Sequence, residues 1–496
     1  MVARASAFAS QIVAGYFLTE QQFGTYAVAL GLFGLTTLMR GGGAANYMPS
    51  IRPEDFDAKA GRFFRWSFVF LVTGAVITSV VATLLPELPE KYHLPGLASI
   101  LWVLAGRQAI TPFAQIARMR MTVHLRFKEL AKLDIANSVM RLALTAALAM
   151  GGYGPLAFAV PLAASTLTEL VYCGSVAGMK RTDFQWMGMS VREMAAMMVW
   201  PVVLSVVVSV RDMNFLFIKA IVPVATVGVI YFAYQLAGQP SMLLSSSLVN
   251  VFAPLLARTR GDRIGETAAM TQFFSGTMLF VPAVQFVLIA CFPSVERLIW
   301  DGKWAAAGVP ITALAVGFCF HTAASMLVGP MLGLRQFREV AIFEGIRTVS
   351  AVAGAALGAV ALTLREPLGL QNASDGAVVS VCLGASMTVV CAGQLVWIMR
   401  HWRIPMPETL RTLFYGPMLA LLIAVAARSV GESVVTSATS LAPRTEALLE
   451  AVVSLALYMG ITVIAIRFTA ESTLREVLVL LPGRIRQPAE RMLGLA

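Results

Sequence analysis

Residues 67–85, "SFVFLVTGAVITSVVATLL", run for nineteen positions without a charge. Few folds can take such a run. In hydrocarbon the backbone has no water to bond, so an apolar stretch of about 20 residues reads as a helix that crosses a membrane. The chain writes this pattern about fourteen times, with approximate limits 3–18, 23–45, 65–85, 96–117, 129–150, 154–177, 194–216, 224–255, 270–292, 305–330, 340–363, 376–399, 411–428 and 447–467. The eighth run is too long for one straight span, and Gly238 and Pro240 inside it predict a kinked helix with an interfacial end. Charged residues make up 13% of the chain, about half the usual share in a soluble domain. The expected fold class is therefore an all-α polytopic membrane protein.

The opening "MVARASAFASQIVAGYF" has one base, Arg4, before a weak apolar run with no polar pause after it. It reads as a short first span and not as a cleavable signal. The five cysteines, Cys173, Cys291, Cys319, Cys382 and Cys391, all sit in apolar stretches without metal-ligand spacing. Buried free thiols are expected, with no disulfide framework and no metal site.

Lys and Arg set the orientation. With the N-terminus in the cytoplasm, 27 of the 38 bases fall in cytoplasmic segments or span edges and eight on the outer side (Lys91, Arg211, Lys219, Arg297, Lys303, Arg365, Arg428 and Arg444). Arg107, Arg141 and Arg347 fall within spans. This skew follows the positive-inside rule and puts both termini in the cytoplasm. The net charge of +11 then faces anionic lipid heads, and nucleic acid is not an expected partner.

A charged phrase occurs twice. Phe127-Lys128-Glu129-Leu130-Ala131 matches Phe337-Arg338-Glu339-Val340-Ala341, and Leu133-Asp134 matches Phe343-Glu344, at an offset of 210. The copies open spans 5 and 11. Gly24 and Ala29 in span 2 match Gly228 and Ala233 in span 8 at an offset of 204. Both pairs lie six spans apart, so each enters the membrane from the same side. The pattern predicts two six-helix bundles, 1–190 and 191–403, related by a parallel pseudo-two-fold axis, with two further helices and a cytoplasmic tail in 404–496. In the repeated phrase, Phe is expected at the interface, the base at lipid heads, and Glu129 or Glu339 as a cap on the first turn.

The segments "QIVAGYFLTEQQFGTYAVALGLFGLTTLMRGGGAANYM", "RMTVHLRFKELAKLDIANSVMRLALTAALAMGGYGPLAF" and "NFLFIKAIVPVATVGVIYFAYQLAGQP" resemble the Wzx-type bacterial polysaccharide flippases. These belong to the multidrug/oligosaccharidyl-lipid/polysaccharide exporter superfamily. The likeness runs in consistent order from about residue 5 to 400. It has Glu20-Gln21 where Pro-Glu is usual, Asn214 where Asp is usual, and Lys219 one place early. Related chains carry more residues ahead of this point, which implies an upstream start. The resemblance implies a flippase in the bacterial inner membrane. Its cargo is an undecaprenyl-pyrophosphate-linked oligosaccharide repeat unit for exopolysaccharide or lipopolysaccharide, carried from inner to outer leaflet by alternating access. Its partners are the lipid-linked oligosaccharide, membrane lipids, and a polysaccharide polymerase with chain-length and export proteins. No cofactor is implied.

Ionisable groups inside spans are costly and mark sites. The candidates for the pyrophosphate are Arg107, Arg141, Arg40, Arg211, Lys219 and Arg347, because Arg matches phosphate oxygens with two parallel bonds. Glu169, Asp212 and Glu344 are the acidic candidates for coupling. Each has a plainer reading: Arg40 snorkelling, Glu344 with Arg347 pairing at i, i+3, Arg211-Asp212 at the outer interface, and His321 hydrogen-bonded in the core. "GGGAAN" after Arg40 reads as close packing or a bend. There is no Gly-x-Ser-x-Gly triad, Walker motif or HExxH, so no catalysis is expected. A cation-coupled drug or metabolite exporter and a lipid II flippase remain as alternatives, with an integral-membrane polymerase or ligase behind them. The outer loop at about 428–448, rich in Ser and Thr with few charges, is too modest for polymerase chemistry.

Overall fold

The computed structural model describes residues 2–37, 40–48, 51, 53–85, 94–177, 184, 191–258, 263–326, 337–401, 406–437 and 442–469. Among them the chain is helical and holds no strand. In order, the helices are α1 (Val2–Phe17), α2 (Glu20–Thr36), α3 (Ala44–Tyr47), α4 (Pro53–Leu84), α5 (Leu97–Val123), α6 (Phe127–Met150), α7 (Leu156–Ala177), α8 (Val191–Asp212), α9 (Asn214–Ile221) and α10 (Val224–Arg258). Then follow α11 (Arg263–Gln285), α12 (Val287–Trp300), α13 (Gly308–Ser325), α14 (Phe337–Thr363), α15 (Asp375–His401), α16 (Met406–Ser437) and α17 (Pro443–Thr469).

Eleven helical segments among the described residues are long and apolar enough to cross a membrane, or twelve if α2 and the bent stretch after it form one span. They correspond to expected spans 3–7 and 9–14, with span 2 as the twelfth. The expected count of fourteen is not reached, for two reasons. The first helix has only 16 residues. The eighth is a continuous 35-residue helix through Gly238 and Pro240, of which the side chains are described only to Ser241. The side chains of Val171, Val349, Val389 and Leu422 are each more than 60% exposed. Apolar surface of that extent outside a core is what lipid requires and water does not tolerate.

By contact the chain forms two compact units, one of Met1–Phe232 with Met331–Ala359 and one of Ala233–Pro330 with Val360–Ala496. In the first unit, α2 starts with a capping box. The Thr19 hydroxyl accepts from Gln22 N–H, and Gln22 Oε1 accepts from Thr19 N–H at 2.9 Å. This explains how "TEQQFG" opens a helix without the usual proline. The helix then meets the first turns of α10. A Cβ on Gly24 would lie 1.9 Å from Val224 O, and a Cβ on Gly228 would lie 1.8 Å from Glu20 O. The contact is reciprocal, because each glycine faces the carbonyl four residues before the other. Phe23, Tyr26, Phe158, Phe215, Tyr231 and Phe232 pack around it, with Tyr26 stacked on Phe158 at 4.7 Å.

"GGGAAN" fulfils both expected roles. Gly41, Gly42 and Gly43 all have φ between 61° and 73°, which L side chains avoid. Trp66 and Pro201 pack where Cβ atoms would be on Gly42 and Gly43, and Trp66 Nε1 donates to Gly42 O at 2.9 Å. Both copies of the repeated phrase begin a helix at their Phe, but their environments differ. Phe127 is exposed, whereas Phe337 is buried and stacks on Tyr47 at 5.6 Å. Glu129 lies in the first turn of α6, as expected, and is held there by side chains. It accepts from Tyr172 at 2.8 Å and pairs with Lys132 at 3.1 Å.

In the second unit, α13 and α15 cross at small residues, so that a Cβ on Gly384 would meet Ala313 O at 2.3 Å. Glu450 on α17 accepts from Ser294 on α12 at 2.8 Å and pairs with Arg297. The segment expected as an outer loop at 428–448 is largely helical. Helix α16 continues to Ser437 and α17 begins at Pro443.

The reciprocal crossing yields a prediction. Gly24→Val and Gly228→Val each drive a side chain into a neighbouring backbone that cannot yield, and each should cost about 3 kcal/mol or more. Thermal unfolding of the detergent-purified protein should show a clear loss, and the control Gly106→Ala, which meets no atom within 4 Å, should not. An unchanged midpoint in the valine variants would show that the crossing does not hold the unit together.

Candidate substrate-binding site

The first unit holds two clusters of charge on helices long and apolar enough to cross a membrane. In one, Glu344 on α14 takes two arginines. Its Oε2 is 3.0 Å from Arg211 Nη1 at the end of α8, and its Oε1 is 2.6 Å from Arg347 Nη1 one turn further along α14. The Arg347 side chain is 3% exposed, Glu344 10% and Arg211 28%. Thr348 donates to Val207 O at 3.0 Å and ties α14 to α8 beside the pair. The expected i, i+3 pairing is present, and Arg211 joins it from another helix. Arg211 lies ten residues before the end of α9, or about 15 Å along a helix. It lies within the segment Arg192–Ile221, which is long and apolar enough to cross a membrane.

The trio sets two guanidinium groups against one carboxylate, with Arg211 its most exposed member and Asp212 next to it in the chain.

In the second cluster, Arg118 on α5 reaches Glu169 on α7 at 2.7 Å and Asp134 on α6 at 3.0 Å. Arg107 Nε donates to Thr166 on α7 at 3.1 Å. Arg107 and Arg118 are about 16 Å apart along α5, but Thr166 and Glu169 only about 4.5 Å apart along α7. The two arginine side chains therefore reach toward each other from opposite ends. Arg107 and Arg141 both lie within electrostatic reach of the Tyr26 hydroxyl, and Arg107 also of Glu169. Arg141 is exposed on α6.

Among the remaining candidates, Lys219 is half-buried on α9 and enters no ion pair among the described residues, and Asp212 is half-buried at the end of α8. The Arg40 backbone opens a short helical turn, but its side chain lies outside the described residues. His321 is half-buried, with its Nδ1 3.1 Å from Ser325 Oγ one turn along the same helix. No group of His, Cys, Asp and Glu fit for a metal occurs among the described residues.

Arg118 and Asp134 are not among the candidates the sequence offers, yet the sequence carries a signal for them. Asp134 and Glu344 are the matching second acids of the repeated phrase. In both copies that acid receives an arginine from a different helix, Arg118 in one and Arg211 in the other.

These features define a multi-pass helical membrane protein with the fold of flippases and multidrug transporters. The structure of "Lipid II flippase MurJ, inward closed conformation" matches with a TM-score of 0.66 at 11% identity, over 94% of this chain and 97% of that one. A MATE transporter in a bent conformation matches with a TM-score of 0.52 at 14% identity, over 83% of this chain and 94% of that one. No curated protein matches the chain. Residues 14–308 match the model of the polysaccharide biosynthesis protein family, and the chain belongs to that family.

The trio generates a stability prediction. Glu344→Gln leaves two guanidinium groups close together without their carboxylate and should destabilise by about 3–5 kcal/mol. A Glu344→Leu, Arg347→Leu double variant removes both members of the buried pair and should recover most of the loss. Unfolding midpoints of the purified variants decide this, and a single variant as stable as wild type would show the pair to be idle.

Proposed function

We propose that the protein is a flippase for a polyprenyl-pyrophosphate-linked oligosaccharide, moving it from the inner to the outer leaflet of the bacterial inner membrane. The Arg211–Glu344–Arg347 trio carries this reading, as two guanidinium groups held on one largely buried carboxylate between apolar helices. A diphosphate is the anion that a guanidinium fork suits best. Family membership and the flippase fold support it. In this reading Arg211 presents its exposed edge to the pyrophosphate while Glu344 and Arg347 hold it in place. Arg107, Arg141, Lys219 and Arg40 supply further positive charge along the path. The repeats 1–190 and 191–403 rock against each other to alternate access, and the reciprocal Gly24–Gly228 contact sits where equivalent positions of two such repeats would meet.

A second reading rests on a different observation. Arg118 faces two carboxylates, Asp134 and Glu169, and such a group suits a coupling cation. A cation-coupled exporter of the same fold would use it for transport of a smaller cargo. In a flippase the same pair, with Asp212, serves coupling only.

The cargo is tested in a strain lacking the native gene. Loss of the protein should leave undecaprenyl-linked repeat units on the inner leaflet and stop surface polysaccharide. Arg211→Ala should cut export at least tenfold with normal membrane levels, and Arg211→Lys, which keeps the charge but not the fork, should cut it less. Normal export by Arg211→Ala made at wild-type level would remove the trio from the path. Rescue of a strain depleted of its lipid II flippase would instead assign lipid II as cargo.

Orientation is tested with reporter fusions. Fusions after Arg120, Arg260 and Arg403 should report the cytoplasm, and those near Glu87, Lys303 and Ala438 the outside. An external signal at Arg260 would overturn the assignment of both termini to the cytoplasm.

A further inference from the structure

The second unit contains a cavity of about 960 Å³ between α12, α13, α15 and α16, at the upper end of the range for ligand sites. Its shape follows the helices. Its wall runs from Gly308 to Val316 on α13 and from Val381 to Val389 on α15, about 12 Å along each. Leu421 to Arg428 on α16 gives about 10 Å more of the same direction. Val309, Val381 and Val389 are exposed, so the wall is apolar and open along its length. One leaflet of hydrocarbon is about 15 Å deep, so the trough has the length of an acyl chain in one leaflet.

The polar end is specific. Glu296, Arg297 and Arg428 lie together where α12 and α16 approach their ends. Arg297 is paired with Glu450. Arg297 also lies within electrostatic reach of Glu296, while Arg428 enters no ion pair among the described residues. Glu296 is 2% exposed. Its Oε1 accepts from Trp304 N–H at 2.7 Å, and its Oε2 takes no hydrogen bond among the described residues. A carboxylate so buried needs a donor for its second oxygen. Thr312, also in the wall, donates to Gly308 O at 3.0 Å and keeps its own oxygen as an acceptor. The polar wall near Glu296 thus offers acceptors for N–H groups, with a guanidinium for an anion at the same end.

We propose that this trough is a binding site for a glycerophospholipid with a primary ammonium headgroup. The ammonium meets Glu296, the phosphate meets Arg428, and one acyl chain lies along Val309, Val316, Val381 and Val389. The alternatives fit less well. A choline headgroup has no N–H to give Glu296. A glycerol headgroup has no positive charge for it. The pyrophosphate of a lipid-linked sugar is repelled by it. Placing the site in the outer leaflet rests on the orientation proposed above, but the binding itself does not.

The test compares phosphatidylethanolamine and phosphatidylcholine of identical acyl chains, offered at equal concentration to the purified protein. Bound lipid is counted by native mass spectrometry. A charge-assisted hydrogen bond should give phosphatidylethanolamine about a tenfold preference. Glu296→Gln keeps an oxygen for Trp304 N–H and loses the charge, so it should bring the two lipids within twofold. Val389→Trp fills the trough from an exposed position and should reduce both. Arg428→Gln should weaken both lipids alike, and it serves as the check should Val389→Trp not fold. Equal binding by wild type, or a preference that survives Glu296→Gln, overturns the proposal. So does displacement of phosphatidylethanolamine by an equimolar polyprenyl phosphate, which would assign the trough to the cargo's tail. Export assayed in parallel separates the two readings. A Glu296→Gln protein that exports normally but has lost its lipid preference leaves the flippase reading intact, and a failed flippase reading leaves the lipid preference to stand.

Discussion

A backbone carbonyl in hydrocarbon has no water to turn to, and the chain's architecture answers to that constraint. Helices satisfy nearly every group internally, which is why apolar runs become helices here whatever their local propensity. Proline breaks the rule at Pro112, Pro161, Pro201, Pro282, Pro293 and Pro417, each inside a helix. Every one of them removes the donor for the carbonyl four residues earlier. At Pro282 that carbonyl belongs to Met278, and Gly416 of α16 lies directly on it, where a Cβ would come within 2.1 Å. A glycine Cα–H is a weak donor, but it is the group that can approach a carbonyl so closely. Tyr458 donates to Ala283 O at 2.9 Å one residue beyond the proline. The second unit therefore places polar contact where its own helix has been interrupted.

The same scarcity of water governs the charges. The charged groups described here cross from helix to helix, Arg211 with the buried Glu344 and the half-buried Arg118 with Asp134 and Glu169. Such groups add little to stability over a well-packed apolar core, but removing a single member is expensive. They therefore fix which helices must be neighbours.

Much of the span pattern could be read from apolar runs alone, because the runs at spans 3–7 and 9–14 are long and their punctuation is charged. The end of α16 could not. Its last turns carry Ser429, Ser433 and Thr436, which look like loop chemistry, but Ser433 donates to Ser429 O at 2.8 Å and Thr436 to Glu432 O at 2.9 Å. Hydroxyls that bond back to their own helix let a polar stretch remain helical. The i, i+3 pairing of Glu344 with Arg347 was visible because it is local. The addition of Arg211, 133 residues away, was not, since no periodicity links the two. The repeated phrase came nearest to revealing such contacts, through its matched acids.

The mutual fit of Gly24 and Gly228 has a further consequence for ancestry. If the two bundles descend from one six-helix chain, the ancestor assembled as a pair, and this residue met its own copy across the symmetry axis. In such an isologous contact a single substitution acts twice. One bulky replacement would have placed two side chains in the same gap, so the position had no tolerance for drift. Fusion of the two genes halves that penalty, since each copy can then change alone. Both positions are nevertheless still glycine, so the geometry that once forbade a double error here still excludes a single one.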